Sequence, residues 1–185
     1  MGMQMPGETW AASAATFLRM WTVMTAAMML PSLVPMLVRF RRDLSGVGAL
    51  RAGILTMVVA AGYFVVWLAI GVLVWPLTPL IGRLDAAGTA LLVAIAIAYQ
   101  WTPRKARDLS CCRQMLVHAS PRAASARSAW HQGVRYGVHC ARCCWNLMAI
   151  PVVLGTMNPW VMVLVGAAIA AERVTPGYTF RLRAR

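Results

Sequence analysis

Long apolar runs alternate with short basic connections along most of the chain. About 20 helical residues, with a range of about 17–25, cross the hydrocarbon core of a bilayer. The first two runs reach this length alone. To reach the membrane interfaces, the third run needs Leu80–Leu84 and the fifth needs Glu172–Val174. The fourth run begins with polar residues. The pattern predicts an all-α, polytopic transmembrane helix bundle. Its five predicted spans are residues 17–38, 54–77, 86–101, 134–154 and 159–171.

The basic residues fall almost entirely in alternate connections. The connection after the first run holds Arg39, Arg41, Arg42 and Arg51. The connection after the third run holds Arg104, Lys105, Arg107, Arg113, Arg122, Arg127 and Arg135. The tail after the fifth run holds Arg173, Arg181, Arg183 and Arg185. The opposite side has only Arg83 in its loop, while Arg19 starts the first run. The positive-inside rule then predicts a multi-pass protein of the bacterial inner membrane, with its N-terminus outside and its C-terminus in the cytoplasm.

The same pattern sets the expected domain organisation. A polar N-terminal segment, 1–16, precedes a single transmembrane domain, 17–175, and a basic cytoplasmic tail, 176–185. Within the domain, 104–133 is expected as a basic cytoplasmic loop that carries Cys111, Cys112 and His118. No internal repeat is evident.

Composition supports a bilayer as the solvent. The 185 residues are 60% hydrophobic and 12% charged, with a mean hydropathy of +0.64, against about 45–50% and about 25% in soluble domains. The net charge of +13 could indicate nucleic acid, but no base-contacting motif accompanies it, so no nucleic-acid partner is expected. With only five acidic residues, no carboxylate pair or Ser–His–Asp set can be assembled, and the sequence favours no enzymatic reaction.

The cysteines form the chemically distinctive pattern of the sequence. Cys140, Cys143 and Cys144 lie at i, i+3 and i+4, on one helix face that Met148 extends, and His139 lies one residue off it. Cys111 and Cys112 leave the end of the third span, close to where the fourth begins. Thiolates converging from two helix ends suit Cu(I) or, alternatively, Zn(II). The sequence therefore predicts a metal site at the cytoplasmic face.

Positive charge near these thiols would keep them anionic. Arg135 and Arg142 flank the cysteines, and the beginning of the fourth predicted helix carries a partial positive charge. Structural packing and thiol redox chemistry remain alternatives, since free cysteine is a common small packing residue.

A methionine stripe runs along the first predicted span. Met20, Met24 and Met28 lie at i, i+4 and i+8, with Met29 beside them. Thioether sulfur prefers Cu(I), so Met24 and Met28 are candidate ligands, although methionine is also a common filler at helix contacts. Pro31 and Pro35 predict a kink next to this stripe.

Five blocks of the sequence resemble, in order, a bacterial family of predicted metal-binding integral membrane proteins of unknown function. These blocks are "WTVMTAAMMLPSLVPML", "GYFVVWLAIG", "YQWTPRKARDLSCCR", "GVRYGVHCARCCWNLM" and "GTMNPWVMVLVGAAIAAER". The resemblance covers about residues 17–175 and implies a small polytopic membrane protein with a metal site at these cysteines. It implies no established reaction.

The chain departs from the family pattern at two positions. The family's loop after the third span reads Lys-x-x-Cys-Leu-x-x-Cys; here Lys105, Leu109 and Cys112 match, while Asp108 replaces the first cysteine and Cys111 is added. Arg142 stands where the family more often has glycine. Either Asp108 serves as an oxygen ligand or Cys111 substitutes, and the resemblance implies Cys140, Cys143, Cys144 and Cys112 as the main ligands.

Three functions are compatible with these observations. The leading hypothesis is a membrane protein that binds, delivers or transports Cu(I). Its expected partner is a membrane enzyme complex or a metallochaperone. If it transports the ion, the chain is expected to form a homo-oligomer. A second is an accessory subunit of a membrane complex, because small residues favour helix contacts. A third is a thiol–disulfide oxidoreductase using Cys140 and Cys143, which the predicted cytoplasmic location disfavours.

Overall fold

The computed structural model describes residues 10–44, 46–117, 125–154 and 159–174, and this part of the chain is helical without any strand. The all-α class is therefore confirmed for the described residues. Seven α-helices follow in order: α1 Trp10–Asp43, α2 Ala49–Val74, α3 Thr78–Ile81, α4 Ala86–Ala98, α5 Pro103–Val117, α6 Ala126–Val153 and α7 Pro159–Val174. Short 3-10 segments, Trp75–Leu77 and Tyr99–Trp101, join α2 to α3 and α4 to α5.

Helices α2 and α6 form the closest pair of the bundle, and glycine makes their approach possible. A Cβ atom on Gly133 would lie 2.2 Å from the carbonyl oxygen of Val59, and one on Gly62 would lie 2.8 Å from that of Trp130. Gly137, one turn after Gly133, lies against Val66 in the same way. Small residues at helix crossings let backbones touch in a bilayer. This contact fixes the helix that carries three of the cysteines.

The remaining helices surround this pair. Helix α1 packs on α2 and α7, while α4 and α5 pack on α6. The indole N–H of Trp21 donates to the carbonyl oxygen of Trp67 at 2.8 Å, joining α1 to α2. Met24, Met28, Met29 and Met36 of α1 are all buried in the core of the bundle. Met24 and Met28 therefore lie at helix contacts, whereas Met20, the first residue of the stripe, is 41% exposed.

The predicted kink in α1 is present. Its two parts, Trp10–Pro31 and Leu33–Asp43, meet at an angle of 62°. Pro35 has no N–H to donate to the carbonyl of Pro31, and its ring crowds that carbonyl, so the helix bends at this point.

One unbroken helical stretch, Ala49–Ile81, is long and apolar enough to cross a membrane, with a mean hydropathy of 2.5 over 18 residues. Two bent pairs pass the same test if each is one span: the two parts of α1, and Ala86–Trp101 with Pro103–Cys112, which meet at 67°. Trp160–Glu172 is apolar but shorter. By length and composition, the described residues thus contain between one and three candidate spans. The five-span arrangement and its orientation stay a prediction.

The segment expected as a loop, 104–133, is largely helical instead. Helix α5 begins at Pro103, and Thr102 before it accepts a hydrogen bond from the backbone N–H of Lys105 at 3.3 Å. Proline at the first position and threonine before it are helix-start signals. Helix α6 begins at Ala126, where the side chain of Ser125 caps it. Within this segment His118 lies outside the described residues.

Candidate metal centre

Three thiols of α6 lie on the face that the bundle buries. Cys140, Cys143 and Cys144 are each 2% exposed or less, as their i, i+3 and i+4 spacing on one face predicts. The sulfur atoms of Cys143 and Cys144 are 3.3 Å apart, and the Cys143 thiol donates to the carbonyl oxygen of Cys140 at 3.2 Å. All five cysteines are free thiols.

The two cysteines of α5 reach two different places. Cys112 is buried, and its side chain lies within hydrogen-bonding reach of the Cys143 side chain. The side chains of Cys140 and Cys144 also lie within hydrogen-bonding reach of Cys143. Cys143 is thus the centre of a four-thiol cluster made of Cys112, Cys140, Cys143 and Cys144. Cys111 is only half-buried, and its sulfur lies 3.7 Å from Nδ1 of His139. The structure therefore brings the two groups of cysteines together through Cys112.

Two further side chains contact the four-thiol cluster from α1 and α2. The hydroxyl of Tyr63 lies 3.0 Å from the sulfur of Cys140, and the Cys140 thiol points at the thioether of Met29 at 3.8 Å. Met29, adjacent to the predicted ligand Met28, is hence the methionine that the structure places against a cysteine. Met28 packs beside Gly166 of α7 instead. Met24 and Met148 are buried in the core.

A buried network of polar side chains lies next to the thiols. Lys105 is 2% exposed, forms an ion pair with Glu172 at 3.0 Å, and donates to Asn146 at 3.2 Å and to the carbonyl oxygen of Cys143. Gln100 donates to Glu172 at 2.7 Å, and Asn146 donates to the carbonyl oxygen of Ala96 at 3.1 Å. This Lys105 network, made of Gln100, Lys105, Asn146 and Glu172, joins α4, α5, α6 and α7 around one cation.

The source of positive charge differs from the one expected from the sequence. Arg135 is exposed, and the side chain of Arg142 is 65% exposed and pairs with Asp108 at 3.9 Å. Because α6 begins at Ala126, Cys140 lies about four turns into the helix. The positive end of a helix dipole acts within the first turn only, so the predicted contribution of the helix start to the charge of these thiols was wrong. Lys105 is the buried cation beside the cluster.

The structure leaves the ligand roles open. In the described ranges, no set of three or more His, Cys, Asp or Glu side chains is arranged as a metal-binding group. The carboxylate of Asp108 is engaged by Arg142, and His139 faces Cys111. Ligation by Cys140, Cys143, Cys144, Cys112, Cys111, Asp108, Met148, His139, Met24 and Met28 therefore stays a prediction. A compact set of soft sulfur donors nevertheless has the chemistry that Cu(I) prefers.

A known family matches nearly the whole of this helical domain. The family model described as "PpoB2: Copper chaperone" matches residues 18–184, which include every cysteine and the Lys105 network. The chain belongs to this copper chaperone family. The predicted link to metal binding, and to copper in particular, is confirmed at the level of this family. Among curated proteins and among solved structures, no match to the chain is found.

Several residues that the sequence pattern did not indicate as site residues contact the four-thiol cluster or its backbone. Met29 and Tyr63 contact Cys140, and the Lys105 network supports Cys143 through its backbone. Gln100, Asn146 and Glu172 are isolated polar residues in largely apolar stretches, and such residues mark functional sites where the helices that carry them span a membrane. That signal was present in the sequence, whereas the pairing of these residues required the fold.

Proposed function

We propose that this chain is an integral membrane copper chaperone that holds Cu(I) at the four-thiol cluster and passes it to a membrane enzyme. The observation that carries the proposal is that Cys143 contacts three other buried thiols, which come from two helices. Cys143 lies within hydrogen-bonding reach of Cys112, Cys140 and Cys144. Membership of the copper chaperone family supports copper as the cargo.

The donor set explains why the cargo is Cu(I). Thiolate and thioether sulfur are soft ligands, and they favour Cu(I) over hard divalent cations. Two thiolates on one Cu(I) ion leave a net charge of −1, which is costly in a buried site unless a cation lies nearby. Lys105 donates to the carbonyl oxygen of Cys143 but is already paired with Glu172, so it offsets this charge only as the nearer, positive end of that ion pair. Met29 adds a neutral sulfur beside Cys140.

The membrane location rests on the surface of the bundle. Large apolar side chains are exposed along α2, among them Ile54, Met57, Leu68 and Leu73. Soluble monomers rarely expose contiguous apolar surface of this kind. Together with the candidate span Ala49–Ile81, this surface supports insertion in a bilayer. The copper site would then lie inside the helical bundle, shielded from lipid by α2 and α1.

Delivery is a simpler role for this chain than transport. The cluster joins α6, the core helix, to α5 through a single thiol, Cys112. A ligand set divided between two helices can be opened by a small shift of the peripheral one, which would pass the ion to an acceptor. A transport pathway would need an enclosure that 185 residues supply only as an oligomer.

The proposal is tested by copper binding to the protein purified in detergent. Reduced wild-type protein should bind about one Cu(I) per chain, with a sulfur-only coordination shell by X-ray absorption. Cys143→Ser removes the central thiol and should weaken Cu(I) affinity by about tenfold or more. Cys111→Ser, which changes a thiol outside the cluster, is the matched control and should bind Cu(I) as the wild type does.

Two results would contradict the proposal. One is wild-type protein that binds no Cu(I) above a few per cent occupancy under reducing conditions. The other is equal affinity in wild type, Cys143→Ser and Cys111→Ser. An accessory subunit of a membrane complex would give that second result, with stable co-purification of larger subunits and no effect of cysteine substitution.

A further inference from the structure

A separate cavity of about 600 Å³ opens at the corner between α4, α5 and α6. Its lining combines three guanidinium groups, two aromatic rings and one carboxylate. These residues are Tyr99, Arg104, Arg107, Asp108, Arg142 and Trp145. We call this space the arginine cavity. None of its residues belongs to the four-thiol cluster.

The charges of the arginine cavity are unbalanced. Asp108 is its only acidic residue, and it pairs with Arg142 at 3.9 Å, near the outer limit of an ion pair. Arg107 donates through Nε to the carbonyl oxygen of Pro103 at 3.4 Å. Across the part of the chain that the structure describes, neither Arg104 nor Arg107 forms an ion pair. The cavity therefore carries an excess of two positive charges.

The position of the arginines is set by the helices that carry them. Arg104 and Arg107 are three residues apart on α5, so they share a face, while Arg142 comes from α6. Lys105, between the first two, is buried in its own network. Guanidinium groups from two elements around one opening match an oxyanion that accepts several charge-assisted hydrogen bonds at once.

The aromatic residues place the cavity at the end of an apolar helix. The rings of Tyr99 and Trp145 pack edge to face, with their centroids 5.0 Å apart. Tyr99 follows α4 directly, and the polar α5 continues at 67° to it. Tyrosine, tryptophan and arginine in this arrangement are typical of the headgroup region of a membrane.

We propose that the arginine cavity binds a phosphate group. The phosphodiester of an anionic phospholipid and free inorganic phosphate present the same oxygen atoms to the three arginines. Two guanidinium groups would bind these oxygens, while Asp108 holds Arg142 in place. The binding does not require copper, so it goes beyond the proposed function. Only the phospholipid as source depends on insertion in a membrane.

The test uses full-length protein that has been delipidated in detergent. Isothermal titration is carried out with three probes: dihexanoyl phosphatidylglycerol, dihexanoyl phosphatidylcholine and inorganic phosphate. The double variant Arg104→Gln/Arg107→Gln removes two charges from the cavity. The matched control, Arg41→Gln/Arg42→Gln, removes two exposed charges at the end of α1. Cu(I) stoichiometry is measured in both variants and should equal that of the wild type.

We expect saturable binding of one phosphatidylglycerol per chain, weakened about tenfold or more in the cavity variant and within twofold of wild type in the control. If inorganic phosphate binds as tightly as phosphatidylglycerol, free phosphate is a sufficient ligand. If inorganic phosphate does not bind, the ligand is the phospholipid. The proposal is overturned if neither anion binds more tightly than phosphatidylcholine, or if the two double variants lose affinity equally. Because copper is measured separately, this failure would leave the copper proposal standing.

Discussion

Three helices, α5, α6 and α7, contribute to the surroundings of Cys143. Its sulfur lies 3.3 Å from that of Cys144 on its own helix and within reach of Cys112 on α5. Its carbonyl oxygen accepts a hydrogen bond from Lys105, which Glu172 of α7 holds in place. A cysteine that only fills space needs none of these contacts. The surroundings of this residue therefore favour a chemical role.

The buried ion pair at Lys105 predicts a large effect on stability. Lys105→Met leaves the Glu172 carboxylate without its cation. Because the Glu172 side chain is 25% exposed, we expect the free energy of unfolding to fall by about 3 kcal/mol, the low end of the range for buried pairs. Unfolding in detergent, followed by tryptophan fluorescence, measures it. Arg142→Gln, which breaks an exposed pair, should cost less than about 1 kcal/mol.

A second substitution separates charge from packing at this position. Lys105→Met/Glu172→Gln removes both charges, so it should recover a large part of the stability lost in Lys105→Met. If Lys105→Met and Arg142→Gln unfold at the same concentration of denaturing detergent, the ion pair between Lys105 and Glu172 contributes no more to stability than an exposed pair does.

The methionines of α1 give a matched pair for copper binding. Met29 contacts the thiol of Cys140, whereas its neighbour Met28 packs beside Gly166. Met29→Leu should lower Cu(I) affinity by about tenfold, and Met28→Leu should leave it unchanged. Competition with a chromophoric Cu(I) chelator measures both. Equal affinities in the two variants would show that Met29 is a packing residue only.

At the scale of elements, the contact between α2 and α6 determines where the thiols lie. Gly133→Ala would place a methyl group 2.2 Å from the carbonyl oxygen of Val59. The helices must then separate, and we expect a loss of about 1–3 kcal/mol together with weaker Cu(I) binding. Gly53→Ala of α2, with nothing within 4 Å, is the control and should gain up to about 1 kcal/mol from helix propensity.

The outcome for the two glycines is measured as the midpoint of unfolding in detergent and as Cu(I) stoichiometry on the same samples. Unchanged stability in Gly133→Ala would mean that the close approach of α2 and α6 is not needed for the fold.

The elements also show which parts of the fold were readable from the sequence. Apolar runs located α1, α2, α4 and α7, because a long apolar run predicts a helix from its length and hydropathy alone. Helix α5 was missed because its basic residues match a loop, although Thr102 and Pro103 mark its start. The early start of α6 at Ala126 was missed for the same reason. Polar helices need capping signals rather than hydropathy.

At the scale of the whole molecule, local spacing predicted which cysteines share a face, but not what surrounds them. The i, i+3 and i+4 pattern placed Cys140, Cys143 and Cys144 together. The contribution of Lys105 could not be read in this way, since the partners of its side chain come from α6 and α7. Contacts between residues that are far apart in sequence depend on how the helices pack, which no periodicity encodes.

The orientation of the whole chain gives the last prediction. Basic residues fall almost entirely in alternate connections, with Arg83 the exception. Five spans, an odd number, would then place the C-terminus in the cytoplasm and the N-terminus outside. Fluorescent protein fused after Arg185 should therefore fluoresce, and alkaline phosphatase fused there should be inactive. Alkaline phosphatase fused at the loop that holds Arg83 should be active. The matched pair of fusions controls for expression.

The result also determines from which side copper enters. The four-thiol cluster joins the α4–α5 end of the bundle to α6, and the arginine cavity opens at that same end. If the fusions place 104–117 in the cytoplasm, Cys111 and Cys112 lie at the cytoplasmic end of the bundle, where thiols stay reduced. Active phosphatase after Arg185 would reverse the orientation and place the end of the bundle that carries Cys112 on the oxidising side. A disulfide with Cys143 would then compete with copper.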